Sequence, residues 1–441
     1  MKTCTFSYSQ SCLVDKKTLD QTIKDKDVSH IINVMREAFS QEYATDYASL
    51  AIPFDKKMMC NVLQMVQEKK KLCPKVLIVI GIGGSNLGMQ AVHEAVLGRF
   101  YNTGASALKV YFLDTIDSDQ AAQVLTVIRS ELEAQRPVVV NVITKSGSTT
   151  ETLINFSAVL GLLKQFNPTG YQEQVVVTTD AQSPLWHMAL SEGFSLLEIP
   201  KKVGGRYSVF TAVGLFPLAL CGVDVEQLVE GAQLAVRKGL SDSLEENDSL
   251  VAALLLYLHY RNGIAIHDTF LFSLDFEGVG KWYRQLLAES IGKEFNTKGQ
   301  QVMVGITPTV SVGSIDLHSV AQLYLAGPRD KFTTFVTVQK NKNSLVISNE
   351  GLSIKGLSEC TGKTFEHVMD ALLKGTQAAY LESKRPFSTI KISEKSEYCL
   401  GQLLQSKMIE VMYLGYLLEI NPFDQPNVEL YKKEAQKILG S

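Results

Sequence analysis

The chain reads as an α/β protein in which helices cover both faces of mainly parallel sheets, with helical segments at the two ends. Three observations carry this reading. Between residues 75 and 192 four short apolar runs rich in β-branched residues, "KVLIVIGI", "KVYFLDT", "PVVVNVI" and "EQVVVTTD", each precede a stretch of helical spacing. Strand–helix alternation of that kind builds a parallel sheet between two helical layers. A second, less regular set, "AIHDTFLFSL", "QVMVGITP" and "KFTTFVTVQ", alternates with "GKWYRQLLAESIGKE" and "LHSVAQLYLAG". Finally, 441 residues exceed what one ordinary core holds, so two domains are expected.

Taken in order, "KKTLDQTIK", "HIINVMREAF" and "PFDKKMMCNVLQMVQEKKK" carry helix-like apolar spacing. Residues 1–50 are therefore expected as an N-terminal helical segment. The four alternations place a first α/β domain over 51–205, ending after "GFSLLEIP". A helical stretch over 211–262 opens the second domain, 206–390. "ESKRPFSTIKISEKSEY" reads as a linker with an extended piece. "LGQLLQSKMIEVMYLGYLLEI" and "NVELYKKEAQKIL" make 391–441 a C-terminal helical segment.

Composition excludes several classes. Hydrophobic content of 45% with 20% charged residues describes a globular protein, and a net charge of −3 gives no electrostatic reason to expect nucleic acid or an anionic membrane. The first residues lack the continuous apolar core of a signal peptide, and "LVAALLLYLHY" is too short to span a bilayer. Seven cysteines, at 4, 12, 60, 73, 221, 360 and 399, form no C-x-x-C pair and fit reduced thiols in a cytoplasmic protein.

Ligands of parallel sheets sit beyond the carboxyl ends of the strands, where helix N-termini leave amides unpaired. Two stretches fall there. "GIGGSNLG", Gly81 to Gly88, permits close approach of backbone to a ligand, with Ser85 as N-cap; it departs from G-x-G-x-x-G at Asn86. It also fits a plain strand-to-helix turn. "VITKSGSTTETL" follows a strand and carries Thr144, Lys145, Ser146, Ser148 and Thr149. Ser148 and Glu151 have capping-box spacing, which places a helix start just after Ser148. Hydroxyl donors and one cation at a helix N-terminus suit a phosphate dianion better than the alternative, an ordinary capped turn. "GLSECTGKT" has one residue too many for a phosphate-binding P-loop and reads as the entry to the next helix.

Arg206 in "GGRYS" could stabilise an oxyanion or be a surface arginine. Glu289 follows "LLA", so burial could raise its pKa toward that of a useful base, or it could be an ordinary helical carboxylate. His318 stands at what reads as a helix start, and Lys432 on a helix after a turn; either could simply be solvated.

Together "GIGGSNLG", "TKSGSTTET", "GGRYSVFTAVG", "AESIGK", "DLHSVAQ" and "NPFDQPNVELYK" resemble the glucose-6-phosphate isomerase (phosphoglucose isomerase) family in its compact bacterial form, in family order over most of the chain. The resemblance implies two sugar-isomerase-type (SIS) domains, a C-terminal segment completing the active site, and a homodimer with active sites at the subunit boundary. It implies no metal and no organic cofactor. The activity implied is reversible conversion of glucose 6-phosphate to fructose 6-phosphate through a cis-enediol, a step of glycolysis and gluconeogenesis. Residue by residue, Glu289 corresponds to the base and Arg206 to the group that stabilises the enediolate. His318, from the neighbouring subunit, and Lys432 correspond to the groups that open and close the ring. Thr144, Lys145, Ser146, Ser148 and Thr149 correspond to the phosphate side, and Gly84, Ser85 and Gln285 to the sugar lining.

Asn427 departs from the glycine often found in this turn, and asparagine tolerates the left-handed backbone a glycine there would use. A non-catalytic sugar-phosphate sensor on the same type of domain is the rival reading, and it would need the phosphate loop but not Glu289, His318 or Lys432. An isomerase that also accepts mannose 6-phosphate is a second.

Overall fold

The computed structural model describes residues 3–104, 108–348, 350 and 354–440. Its strands in chain order are β1 (Cys4–Ser7), β2 (Val76–Ile80), β3 (Lys109–Leu113), β4 (Val138–Ile143), β5 (Val175–Thr179) and β6 (Ser195–Glu198). They continue as β7 (Ile266–Phe272), β8 (Lys293–Phe295), β9 (Gln301–Val304), β10 (Thr307–Val312), β11 (Lys331–Lys340) and β12 (Phe387–Glu394).

The first sheet is wholly parallel, in the order β3-β2-β4-β5-β6. Every residue of β2, β4 and β5 is buried, as their unbroken Val/Ile runs require of strands covered on both faces. The helices Ser118–Glu133 and Thr150–Phe166 pack on one face through Val124, Ile128, Phe156 and Val159. The other face joins a larger core shared with the second sheet.

The second sheet runs β1-β12-β11-β7-β10. β7, β10, β11 and β12 are parallel, and β1 closes the edge antiparallel to β12, pairing Cys4 with Ile392 and Phe6 with Ile390. Three sequence expectations change here. The N-terminal segment begins with a strand of this sheet before its helices Lys16–Asp25 and Val28–Ser40. The supposed linker at 382–398 holds β12, an interior strand buried at Phe387, Ile390 and Ile392, so residue 390 lies inside a strand. "QVMVGITP" is not one strand: Gln301–Val304 pairs with β8 in a two-stranded hairpin, and the sheet strand starts at Thr307.

The helix Glu397–Leu417 is buried nearly throughout its 21 residues. Such all-round apolar character marks a central helix. It packs against the helices Val225–Gly239, Asp248–Arg261 and Glu277–Ile291. Its buried Lys407 ion-pairs Glu410 at 2.6 Å. "GLSECTGKT" ends as expected in a helix entry, with Thr364 accepting from the His367 amide at 3.2 Å to cap Phe365–Glu382. Among the described residues no helix is long and apolar enough to cross a membrane.

Candidate active site

β2 and β4 are neighbours in the first sheet, so the loops that leave their carboxyl ends lie side by side. The loop after β2 forms a 3-10 turn, Gly83–Ser85, and its helix, Leu87–Leu97, starts after Asn86. Ser85 is therefore not the N-cap. Asn86 takes that place without a side-chain cap, and its amide donates instead to Asp114 at 3.1 Å. Gly84 packs directly on the turn Gly205–Tyr207: a Cβ there would stand 2.1 Å from the Gly205 carbonyl carbon and 2.5 Å from the Arg206 nitrogen. Only glycine lets these two loops meet.

That contact fixes the backbone of Arg206, which is 2% exposed. Its guanidinium directs all five N–H donors at protein. Nε donates to Ser290 Oγ at 2.7 Å, and Nη1 to Gln425 Oε1 at 2.7 Å and Glu289 Oε2 at 3.4 Å. Nη2 donates to the carbonyls of Pro422 at 2.7 Å and Asp424 at 3.2 Å. Of the two readings of Arg206, the surface arginine is excluded; Arg206 is a buried clamp on the loop 422–425. Phe423 in that loop wedges between Tyr47 and Tyr207, ring centroids 4.7 and 5.6 Å away.

Glu289 occupies the last turn of the helix Glu277–Ile291. One oxygen faces Arg206, and the other accepts from Gln285 Nε2 at 3.1 Å. This helix spacing of four brings the two side chains together on one face. Burial is not what sets Glu289 apart: its side chain is 35% exposed, because Leu286 and Leu287 turn inward while Ala288 and Glu289 face outward. Gln285 also approaches the loop after β2, its Nε2 standing 2.9 Å from where a Gly83 Cβ would be. Glu289, Arg206, Gln285 and Gly84 are thereby one cluster.

The loop after β4 differs from the expected capping box. The helix begins at Thr150, its N-cap is Thr149, and no side chain caps it. The first-turn amides are left without an intrahelical partner. The hydroxyls bond one another: Thr144 Oγ1 to Thr149 Oγ1 at 2.8 Å, and Ser148 Oγ to Ser146 Oγ at 3.1 Å. Gly147 takes φ +66° and lies so close to Ser183 that a Cβ would stand 2.6 Å from its Oγ. Thr179 Oγ1 supports the loop from below by donating to the Thr144 carbonyl at 2.6 Å. Burial pulls the Lys145 ammonium below the ordinary lysine value, and the carboxylates of Asp180 and Asp46 oppose it. A partly desolvated cation, a cluster of hydroxyls and helix amides without an intrahelical partner are groups able to hold an anion.

His318 and Lys432 stand apart. His318 ends a 3-10 turn, Ile315–His318, rather than starting the helix, which is Ala321–Ala326. It is exposed, and its turn is pinned by Asp316, which accepts from the Val312 amide at 2.7 Å and Ser319 Oγ at 2.6 Å. Lys432 lies on the exposed helix Glu429–Leu439. Its hydrogen bond to Glu429 at 2.7 Å raises its ammonium above the usual value, and Glu151, in the first turn after the hydroxyl loop, adds to this. Among the described residues no hydrogen bond or ion pair joins either to Glu289 or Arg206. Asn427 sits in the turn Pro426–Val428 without positive φ and donates to Glu294 at 3.0 Å, so the turn needs no left-handed residue.

Sequence reasoning missed Gln425, Ser290 and Lys293, all direct neighbours of Arg206 or Glu289. Gln425 stands inside "NPFDQPNVELYK", but only the fold reveals that it meets an arginine more than two hundred positions earlier. Among the described residues no group of three or more His, Cys, Asp or Glu could hold a metal ion. A hollow of about 1180 Å³ between Tyr43, Asp55, Trp186 and Lys201 is lined by none of the site residues.

Comparison with known proteins identifies the family. Crystal structures of a hypothetical protein from Thermus thermophilus and of a glucose-6-phosphate isomerase from Chlamydia trachomatis share the fold. The first has a TM-score of 0.85 and 30% identity, covering 99% of this chain and 100% of that one. The second has a TM-score of 0.84 and 21% identity, covering 100% and 89%. A curated glucose-6-phosphate isomerase of Carboxydothermus hydrogenoformans is 37% identical over 373 residues, 83% of this chain and 79% of that protein. One from Exiguobacterium sibiricum is 34% identical over 385 residues, 86% and 83%. The sequence pattern of the family described as phosphoglucose isomerase matches residues 65–441, and the chain belongs to that family.

Proposed function

We propose that this enzyme interconverts D-glucose 6-phosphate and D-fructose 6-phosphate, with Glu289 as the base that moves the proton between C2 and C1. The observation that carries the assignment is the Glu289 carboxylate, held at the site mouth between Arg206 at 3.4 Å and Gln285 at 3.1 Å. Moving a carbonyl from C1 to C2 requires removal of the C2 proton. The C–H electrons become the C1=C2 bond of a cis-enediol while the C1=O π pair moves onto O1, which takes up a proton; O2 then gives up its hydroxyl proton to become the carbonyl, and the proton held by Glu289 returns to C1. A carboxylate placed by two fixed donors, yet open to substrate, suits both transfers.

Arg206 supports the enediolate by its charge. With every donor already bonded, it acts as a preorganised positive centre in a dry pocket. The cradle of Thr144, Lys145, Ser146, Ser148 and Thr149 takes the phosphate, and Gly84, Ser85 and Gln285 line the sugar. Phosphate binding energy then aligns C1 and C2 with Glu289.

His318 and Lys432 serve ring opening, His318 acting in the site of a second subunit of a homodimer. Its exposure, its separation from Glu289 and the exposed Ile315 and Leu323 beside it favour that assignment. The protonated Lys432 donates toward the ring oxygen. A sensor would have no use for a base fixed in this way.

The test is interconversion of the two sugar phosphates in EDTA by the wild type and by Glu289→Gln. The wild type turns over, and the variant, which keeps the shape but cannot accept a proton, loses about three orders of magnitude or more in kcat. Retention of more than about a tenth of wild-type kcat rules Glu289 out as the base.

A further inference from the structure

Lys293 is a buried cation that the reaction so far leaves without a role. It stands in β8, two residues past the end of the helix that carries Glu289, and is 7% exposed. Burying an ammonium costs several kcal/mol unless its partners are well placed, so those partners report what the fold gains. Nζ donates to the carbonyl oxygen of Glu289 at 2.8 Å. It donates again to the carbonyl of Asp424 and pairs with Asp424 Oδ1 at 3.2 Å. Burial lowers its proton affinity most, and the hydrogen bond to Asp424 opposes that loss.

Two features make these contacts more than local packing. Glu289 lies in the last turn of its helix, where carbonyls lack an intrahelical partner and the chain frays. Lys293 fastens the carbonyl of Glu289 itself, with its charge at the favourable C-terminal end of the helix dipole. The Asp424 carbonyl, in turn, is shared: Arg206 Nη2 reaches the same oxygen at 3.2 Å. Two buried cations thus converge on one carbonyl, one rooted beside the base and the other in the turn that Gly84 supports. Beyond Asp424 the chain passes through the turn Pro426–Val428 into the helix bearing Lys432.

We propose that Lys293 is a positioning residue for the isomerisation, locking the backbone of Glu289 to the loop gripped by Arg206 and so setting the base, the cation and the approach of the C-terminal helix in one frame. The inference rests on the isomerase reading and on Glu289 as base, and adds a residue that touches neither substrate nor reacting atoms. Proton transfer between adjacent carbons tolerates little error, since a displacement of about 1 Å costs on the order of a hundredfold in rate. Lys293→Met keeps length and apolar stem but loses the donors and the charge. Lys293→Arg restores a charge and donors.

The experiment measures kcat, KM, the inhibition constant of inorganic phosphate and the thermal midpoint for wild type, Lys293→Met and Lys293→Arg. For Lys293→Met, kcat is expected to fall by about thirtyfold or more, with phosphate inhibition within about threefold of wild type, because the cradle stands on β4 and not on this loop. Lys293→Arg recovers at least about a third of the lost activity on a logarithmic scale. Wild-type kcat in Lys293→Met overturns the proposal. So does a loss of kcat matched by equal loss of phosphate binding, or by the unfolded fraction at the assay temperature, and so does an arginine variant no better than methionine. A wild type that fails to interconvert the sugars refutes the isomerase reading instead, independently of these ratios.

Discussion

Replacing Ser146 and Thr149 together with alanine tests the phosphate cradle, and the structure sharpens what should happen. If both hydroxyls donate to a phosphate dianion, each contributes roughly 1.5–3 kcal/mol, so the pair weakens phosphosugar binding by about two orders of magnitude or more. An N-cap hydroxyl normally adds about 1 kcal/mol of helix stability, but Thr149 makes no cap bond, and that cost is absent. What is lost instead is the 2.8 Å bond to Thr144, whose residue is 2% exposed. Leaving that hydroxyl without its partner costs about 1–3 kcal/mol. The Ser146 hydroxyl is more exposed, and its contacts to Ser148 at 3.1 and 3.3 Å are replaceable by water. The double variant should therefore melt slightly below wild type and remain fully folded at ~25 °C. Competition by inorganic phosphate and by 6-phosphogluconate reads the cradle, and a thermal melt reads the buried hydroxyl. Unchanged inhibition constants for both anions would place the phosphate elsewhere.

Two further perturbations probe the loop contact and the behaviour in acid. Gly84→Ala drives a methyl group into the Gly205 carbonyl, prises apart the loops that seat Arg206, and should lower kcat/KM by about a hundredfold. Its control is Gly161→Ala, in the helix Thr150–Phe166 with open space around it, which should raise stability by about 0.5–1 kcal/mol with kcat/KM unchanged; equal effects from the two would refute the steric account. The second perturbation concerns acid stability. Burial pushes His93 from 6.5 down to about 4, and neither ring nitrogen has a hydrogen-bond partner among the described residues. The unfolded chain binds that proton below 6.5 and the folded one only near 4, so stability is whole above 6.5 and drains away as pH falls through that window. His93→Phe should remove about 1–2 kcal/mol of the loss between about pH 7.5 and pH 5 in urea titrations; parallel pH curves for the two proteins would contradict this.

Much of this was legible in the sequence wherever local pattern and tertiary role agree. The Val/Ile runs of β2, β4 and β5 announce strands covered on both faces, and each helix between them follows from its spacing. Legibility ended where partners are distant or where two motifs share one stretch of chain. β12 reads as a linker because Lys391 and its polar neighbours dilute the apolar signal, and β1 is four residues of alternating burial that gain meaning only beside β12. "QVMVGITP" hides a hairpin and a sheet strand in one apolar run. Glu289, Arg206 and Gln285 could be named from their motifs. That the guanidinium would be saturated by the loop 422–425, and that Lys293 would share its carbonyl, depends on contacts across more than a hundred residues that no local rule encodes. The capping box failed for a physical reason too: Ser148 bonds Ser146 instead of the helix, leaving the helix amides open.

The antiparallel pairing of β1 with β12 also orders events during synthesis. The first sheet needs only residues 76–198 and can be complete while the ribosome is still making the rest of the chain. The second cannot. Its edge strand is made more than three hundred residues before the ladder partners of that strand, Thr389 to Ile392. Until Thr389 to Ile392 have been made, Cys4–Ser7 has no strand to pair with, and non-local pairing of this kind is slow to form. An N-terminal fusion would meet this step directly, since the Thr3 amide already bonds Ser393 Oγ at 2.9 Å at the end of the ladder. The β1–β12 pairing is thus a late seam of the fold.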